Sequence, residues 1–293
     1  VSASVSYLQA DPSYRKDPGH AQSSVKHILK SPAHYQAEKK KKIAPTLTMQ
    51  IGTGAHCLTL EGKEQFEKDF VLKPDGLSLA TREGKAWKEE NKSKTILSQT
   101  DQYQSWDAVH GMAAALQELD WFDPSQADYR KFNEVSLYWR SEGLDCKARI
   151  DRLLLSDTHA TILDVKSTDG VKMEDFRKKV IGDFNYMFQA AWYTDGVEQY
   201  YKLPTNFIFV AIERTPPYQI GIFDISDEMI DEGFRQIRHA RRLLKHCLQT
   251  KDWGRPPIVS GTLELPPYYR SPLGDATLGS SMEALEEAFS IPA

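Results

Sequence analysis

The chain has only three cysteines, Cys57, Cys146 and Cys247, in 293 residues. They lie far apart, are odd in number and form no CxxC or other metal-ligand spacing. A four-cysteine iron–sulfur cluster is excluded by count. A disulfide framework has no basis either, so the cysteines read as reduced thiols of a cytoplasmic protein. Long apolar runs are missing too: no segment approaches the roughly 18–20 apolar residues of a membrane span. The first residues, Val-Ser-Ala-Ser-Val-Ser-Tyr, lack a basic stretch followed by an apolar one, so no secretory signal is expected. An initiating Met is absent as well, which reads as a processed or partial chain. Nor is there an excess of positive charge. The 37 Lys and Arg against 41 Asp and Glu give −4, which at first argues against a polyanionic partner. That sum hides local basic strips at Lys39 to Lys42, at Arg177-Lys178-Lys179, and from Arg235 through Lys245. Any one of them taken alone reads as a solvated helix face.

What is present is enough apolar material, 40% of residues with 11% aromatic, to bury a substantial core. Periodicity predicts an opening helix over 21–42, stopped near Ser31-Pro32. Met49-Gln-Ile-Gly-Thr-Gly-Ala-His predicts a glycine-bearing turn and then a helix carrying His56. Residues 73–94 read as a charged surface excursion near the entrance to a site, and Asp107 as the cap of a helix bearing Val109, Met112 and Leu116. The centre is β-rich: Asn133 to Trp139, Lys147 to Leu155 and Thr161 to Lys166 read as strands, followed later by 206–212 and 219–225. A helix is predicted near Tyr186–Tyr200, and Ser226 can cap a long helix with Ile230, Phe234, Ile237 and Leu244 on one side. This is an α/β pattern without internal repeats: a central mixed β-sheet flanked by helices. The division expected is one domain over 1–270, with a helical part at about 20–120 and a sheet core at about 130–250. An acidic tail follows at 271–293, whose Met282, Leu285 and Phe289 would line one face of a docking helix.

The chemistry concentrates in Lys147-Ala-Arg-Ile-Asp-Arg and Thr161-Ile-Leu-Asp-Val-Lys, two strands joined by the polar turn Ser156-Asp157-Thr158-His159. Strand side chains alternate, so Asp164 and Lys166 share a face and Val165 takes the other. The bland reading is a buried salt bridge among Asp151, Asp164 and Lys166. Two acids converging with one base are better explained by a divalent cation held next to an amine, an arrangement suited to phosphodiester chemistry. Alternation also puts Lys147 and Arg149 on the face of Asp151, within reach of phosphates. Gln189 and Tyr193, at i and i+4, share one helix face.

Several segments occur in a familiar order: Ser23-Ser-Val-Lys with Ser31-Pro-Ala-His-Tyr, Gly52-Thr-Gly-Ala-His56, Asn133-Glu134, Cys146-Lys-Ala-Arg-Ile-Asp151-Arg, Asp164-Val-Lys166-Ser-Thr and Gln189-Ala-Ala-Trp-Tyr193. In this the chain resembles the PD-(D/E)XK nuclease superfamily, and within it the exonuclease VIII (RecE) family, over most of residues 23–270. One departure is Ile150 where the superfamily's namesake has Pro; a second is the tail after Ser271.

The resemblance implies a restriction-endonuclease-like core and a role for each matched residue. Asp151 and Asp164 would bind Mg²⁺, or Mn²⁺ in its place, with the Val165 carbonyl as a further oxygen ligand. Glu134 would hold a second ion in a two-metal site, and His56 would contact the metal or the scissile phosphate. Lys166 would orient the attacking water or neutralise developing charge. Gln189 and Tyr193 would hold DNA or the lysine. The implied activity is 5′ to 3′ exonucleolytic degradation of one strand from double-stranded DNA ends, leaving 3′ overhangs for recombination. A ring-shaped homo-oligomer and a single-strand annealing protein as partner are implied with it. The alternatives are a structure-specific or restriction-type endonuclease on the same core, and a DNA-binding protein with a degenerate site. The intact Asp151, Asp164 and Lys166 argue against the latter.

Overall fold

The computed structural model describes residues 3–7, 11–41, 44–122, 129–256 and 258–264, in two units, Val1–Pro256 and Pro257–Ala293. In the second, residues 258–264 form neither helix nor strand. The tail helix expected beyond residue 271 lies outside the described residues.

The chain begins with strand β1 (Ser4–Ser6), helix α1 (Asp11–Lys16), strand β2 (His20–Ala21) and helix α2 (Gln22–Val25). A 3₁₀ turn, Lys26–Leu29, leads to α3 (Pro32–Lys40). The helix expected over 21–42 is therefore broken. Ser31 accepts a hydrogen bond from the His34 N–H and Pro32 fills the first turn, a pair that starts a new helix rather than only ending the old one.

Helix α4 (Leu47–His56) is continuous through Gly52 and Gly54, where a turn was expected. These glycines serve close approach. A Cβ on Gly52 would come within 2.7 Å of Ser167 Oγ, and one on Gly54 within 2.9 Å of Val109 Cγ2. A π-helical turn, Cys57–Glu61, extends α4 before Gly62 stops it. Next come α5 (Lys63–Asp69), β3 (Phe70–Leu72), α6 (Arg82–Glu90), β4 (Thr95–Leu97) and α7 (Ser105–Gln117). Strands β3 and β4 pair in parallel as a separate two-stranded sheet, so the 73–94 excursion carries a helix and is tied down at both ends. Asp107 does not cap α7. The Asp101 carboxylate takes the N–H groups of Tyr103 and Ser105, and Asp107 sits in the first turn.

The remaining elements are β5 (Arg130–Ser141), β6 (Leu144–Leu155), β7 (Ala160–Thr168), α8 (Met173–Lys178), a π-helical turn (Lys179–Asp183), α9 (Tyr186–Tyr201), β8 (Thr205–Glu213), β9 (Ile220–Asp224) and α10 (Asp227–Thr250), the last capped by Ser226 as expected. The main sheet has seven strands in the order β1-β5-β6-β7-β8-β9, with β2 also on β6. It is mixed: β7 and β8 run parallel, joined by the α9 crossover, and β5–β6–β7 run antiparallel. One face packs Ile150, Leu153 and Ile162 against Trp192 and Ala191 of α9 and Leu244 of α10. The other packs Leu163, Val165 and Val210 against Ile51 of α4 and Val109 and Met112 of α7. The expected sheet flanked by helices is the observed architecture.

Two irregularities in this sheet create a site. First, β6 and β7 pair only from Arg152 to Leu155 against Ala160 to Leu163 and then diverge. Strand β2 covers the start of the same edge at Cys146 and Lys147, leaving 148–151 facing an opening. Second, the β5–β6 register passes from Asn133↔Arg152 to Val135↔Ile150 and skips Glu134 and Asp151. Ile150 and Leu153 both lie in the α9-side core, as do Phe132 and Val135, although each pair is three residues apart. Each strand thus carries one extra residue, a bulge that re-aims a side chain. Those residues are the two acids.

Candidate active site

Glu134 takes up the bulge with a left-handed backbone, φ 49°, a conformation that favours glycine and costs a side-chain-bearing residue energy. The consequence is that its carboxylate turns to the side of the sheet where α4 lies. There one ligand atom each from His56, Glu134 and Asp151 falls within 4.8 Å of the others. They line a cavity of about 240 Å³ together with Gly52, Thr53, Glu61 and Arg149.

The divergence of β6 and β7 accounts for the rest. Both peptide groups of Val165 point into the gap, where no strand partner meets them. The Val165 N–H donates to Asp151 Oδ2 at 2.8 Å, and the Val165 carbonyl accepts from His56 Nε2 at 3.0 Å. Because a carbonyl can only accept, Nε2 carries the ring proton, and in the neutral ring Nδ1 is left with its lone pair. Nδ1 lies 3.7 Å from Asp151 Oδ2. A backbone carbonyl fixing the tautomer and rotation of a histidine is the usual support for a metal ligand. The Val165 carbonyl, expected to bind the cation itself, is here the group that holds His56.

The donors suit a hard divalent ion with room for one imidazole. Electrostatics points the same way. Burial first, and then the Asp151 carboxylate, push the Glu134 carboxyl up to about 8, against the pull of Arg149. Arg149 Nε lies 2.5 Å from Glu134 Oε2, and its guanidinium is 3.9 Å from Glu61. Carboxylates crowded in a place with little solvent are what a cation would relieve.

Asp164 and Lys166 form a second half on the α9 side. Asp164 is 1% exposed; Gln189 Nε2 donates to its Oδ1 at 2.6 Å and the Lys166 ammonium pairs with its Oδ2. Burial pushes the Asp164 carboxyl up to about 6, opposed by the lysine. For Lys166, burial alone would depress the pKa, but Asp164 and Asp151 outweigh it and the net shift is upward. The amine is therefore held as a cation, with the Tyr186 ring centroid 5.0 Å away.

Lys147 does not join the site, although it shares the Asp151 face. Its ammonium donates to the carbonyls of Tyr14 and Asp17, both at 2.8 Å, because the N-terminal segment that ends in β2 folds over that part of β6. Gln189 is 7% exposed and its amide is engaged with Asp164, so it positions the acid. Tyr193 is 8% exposed on the same helix, its phenol pushed up foremost by burial and next by Asp164. Sequence reasoning overlooked Glu61 and Tyr186. Glu61 could have been found five residues beyond His56, but only if the π turn that swings it inward had been foreseen. Asn133 fastens that turn: its Nδ2 donates to the Leu60 carbonyl at 2.7 Å, and Arg152 donates to its Oδ1 at 2.6 Å.

Comparison with known proteins agrees with this architecture. A family model described as a PDDEXK-like domain of unknown function (DUF3799) matches residues 21–265. A search of curated proteins returns no significant match. Among solved structures, a candidate exonuclease from Eubacterium rectale superposes with a TM-score of 0.53 at 12% identity, covering 87% of this chain and 97% of its own. At that identity the likeness speaks for the fold. The protein VC1899 from Vibrio cholerae, at a TM-score of 0.26 and 12% identity over 85% of this chain and 58% of its own, carries no argument.

Proposed function

Since the chain belongs to the family of PDDEXK-like domains of unknown function, we propose that it is a metal-dependent deoxyribonuclease, an exonuclease degrading one strand of linear duplex DNA from its ends. One observation carries the proposal: the His56, Glu134 and Asp151 ligand atoms converge at the mouth of a strand fork whose other lip bears the Asp164–Lys166 pair. A divalent cation bound there, Mg²⁺ or Mn²⁺, would polarise the scissile phosphate and lower the pKa of water.

The protein's own groups do the remaining work. Glu134 and Asp151 supply anionic oxygens, and His56 supplies Nδ1 while the Val165 carbonyl keeps its ring from turning. Asp164, gripped by Gln189, holds Lys166 as an ammonium. A cation so held neutralises charge as the pentacoordinate phosphorus forms, and its N–H groups orient a water. It is not placed to take a proton. In the two-metal arrangement that the resemblance implies, Glu134 would be the ligand that reaches the second ion.

The 5′ to 3′ direction, the 3′ overhangs and a role in recombination by single-strand annealing belong to the same proposal, supported by resemblance to the exonuclease VIII family. So do a ring-shaped homo-oligomer and an annealing-protein partner. End-labelled linear duplex and closed circular DNA, each with Mg²⁺ and with chelator, provide the test. Mononucleotide release from the 5′ end of linear DNA alone, stopped by chelator, is the expected result. Cutting of closed circles would replace the exonuclease reading with an endonuclease, and no metal-dependent cleavage of either would overturn the proposal.

A further inference from the structure

Phe184 is a large apolar side chain left 45% exposed, and it is not on a loose loop. Asn185 adopts a left-handed backbone, φ 47°, and caps α9 by accepting the Phe188 N–H. Its amide nitrogen is bound to Gln236 Oε1 of α10 at 2.7 Å. Lys26, in the 3₁₀ turn, donates to the Phe184 carbonyl at 2.9 Å. The bend that projects the ring is thus tied to three separate elements.

The ring leads directly to the site. Phe184 stacks on Tyr186, with centroids 5.2 Å apart and planes 13° off parallel, and the Lys166 ammonium lies 5.0 Å from the Tyr186 centroid. An unbroken line therefore runs from buried Asp164 through Lys166 and Tyr186 to a solvent-facing aromatic face. Lys26 stands beside it, its ammonium seated on the Phe184 carbonyl. A rigid aromatic surface next to cations is how single strands are gripped without sequence preference, because every base has a face to stack while the phosphates meet the charges.

We propose that the Phe184–Tyr186 stack is a base platform, on which a base flanking the scissile phosphate stacks as the strand enters beside Lys166, with Lys26 meeting the adjoining phosphate. The inference rests on the nuclease reading above and extends it to how the strand is held. Stacking needs a π face, so Phe184→Trp should behave as the parent, whereas Phe184→Leu, which keeps an apolar side chain, should fail as Phe184→Ala does.

The measurement is the affinity for single-stranded and frayed-end duplex oligonucleotides in chelator, followed by cleavage kinetics with Mg²⁺. Expected for Phe184→Ala and Phe184→Leu is roughly tenfold weaker binding, carried into KM with kcat within about twofold, and an unchanged Tm. A 5-iodouracil placed next to the scissile position should photocrosslink to Phe184 in the parent. Parent-like binding by Phe184→Leu, or a crosslink located only elsewhere, overturns the platform while leaving the nuclease reading intact. If the parent neither binds nor cuts DNA, the nuclease reading falls and this inference with it.

Discussion

Glu134 faces Asp151 across the one gap in the β5–β6 ladder, and it does so from a left-handed backbone at φ 49°. Such a residue costs about 1–3 kcal/mol unless its surroundings hold it in place. Here the strained position delivers a carboxylate to the site, so stability and ligand supply should separate by mutation. In chelator, Glu134→Gly should be more stable than Glu134→Ala by about 1–2 kcal/mol, since glycine accepts that backbone freely. Both should lack the Mn²⁺ stabilisation expected of the parent, about 2.7 kcal/mol at a hundredfold excess over Kd. Differential scanning calorimetry with and without Mn²⁺ reads both effects. A full Mn²⁺ shift in either variant would remove Glu134 from the ligand set.

Lys166 and Asp164 should behave as a unit. Lys166→Met should slow cleavage by roughly 10²–10⁴-fold. It should also destabilise the fold, by up to about 3–5 kcal/mol, because it leaves the buried Asp164 without its cation. Lys166→Met/Asp164→Asn should recover most of that stability and none of the activity. Urea denaturation of the two variants against the parent is the check. If the double variant is no more stable than Lys166→Met, the two residues are not coupled as the structure places them.

Helix α4 carries His56, and Gly52 sets how closely that helix approaches β7. Gly52→Ala puts a methyl 2.7 Å from Ser167 Oγ, too close for the two to stay where they are. The helix gains about 0.5–1 kcal/mol of propensity from the change, so the net cost to stability should be small, about 1 kcal/mol or less. Activity should fall disproportionately, because a displaced α4 moves His56 Nε2 off the Val165 carbonyl. Gly52→Ala/Ser167→Gly removes the obstruction and should restore cleavage. Failure of that rescue would show that the glycine is needed for something other than approach.

Much of this fold is legible from alternation and periodicity. Ile162, Asp164 and Lys166 sit on one face of β7 as the two-residue repeat demands, and α10 follows the spacing of Ile230, Phe234, Ile237 and Leu244 from its Ser226 cap. The candidate site is legible where it obeys those rules and hidden where it breaks them. Alternation assigns Glu134 to the face of Phe132, and only the extra residue in each strand turns it toward His56. Alternation places Lys147 correctly beside the Asp151 face, yet a segment more than a hundred residues earlier, at Tyr14 and Asp17, claims its ammonium. Gly52 and Gly54 read as a turn because glycine disfavours helices, but the neighbours that require them, Ser167 and Val109, are distant in sequence. Local pattern cannot carry contacts of that range.

Away from the site, one buried charge ties the α9 side together. Arg241 of α10 is 2% exposed. Its guanidinium donates to Asp195 of α9 at 2.7 Å and to Ser141 of β5 at 2.9 Å, and it lies 4.5 Å from the Trp192 ring centroid. Asp195 also accepts the Trp139 indole N–H at 2.8 Å, so a single carboxylate serves two buried donors. Asp195→Ala strands both and should cost about 3–5 kcal/mol. Asp195→Asn keeps the shape and one acceptor oxygen, and should cost less. Because the network lies apart from His56, Glu134 and Asp151, neither variant should change the size of the Mn²⁺-induced shift in Tm. Thermal scans of both, with and without Mn²⁺, test this. A Mn²⁺ shift that shrank in step with the lost stability would mean that the α9–α10 layer and the metal-ligand cluster are coupled through the sheet.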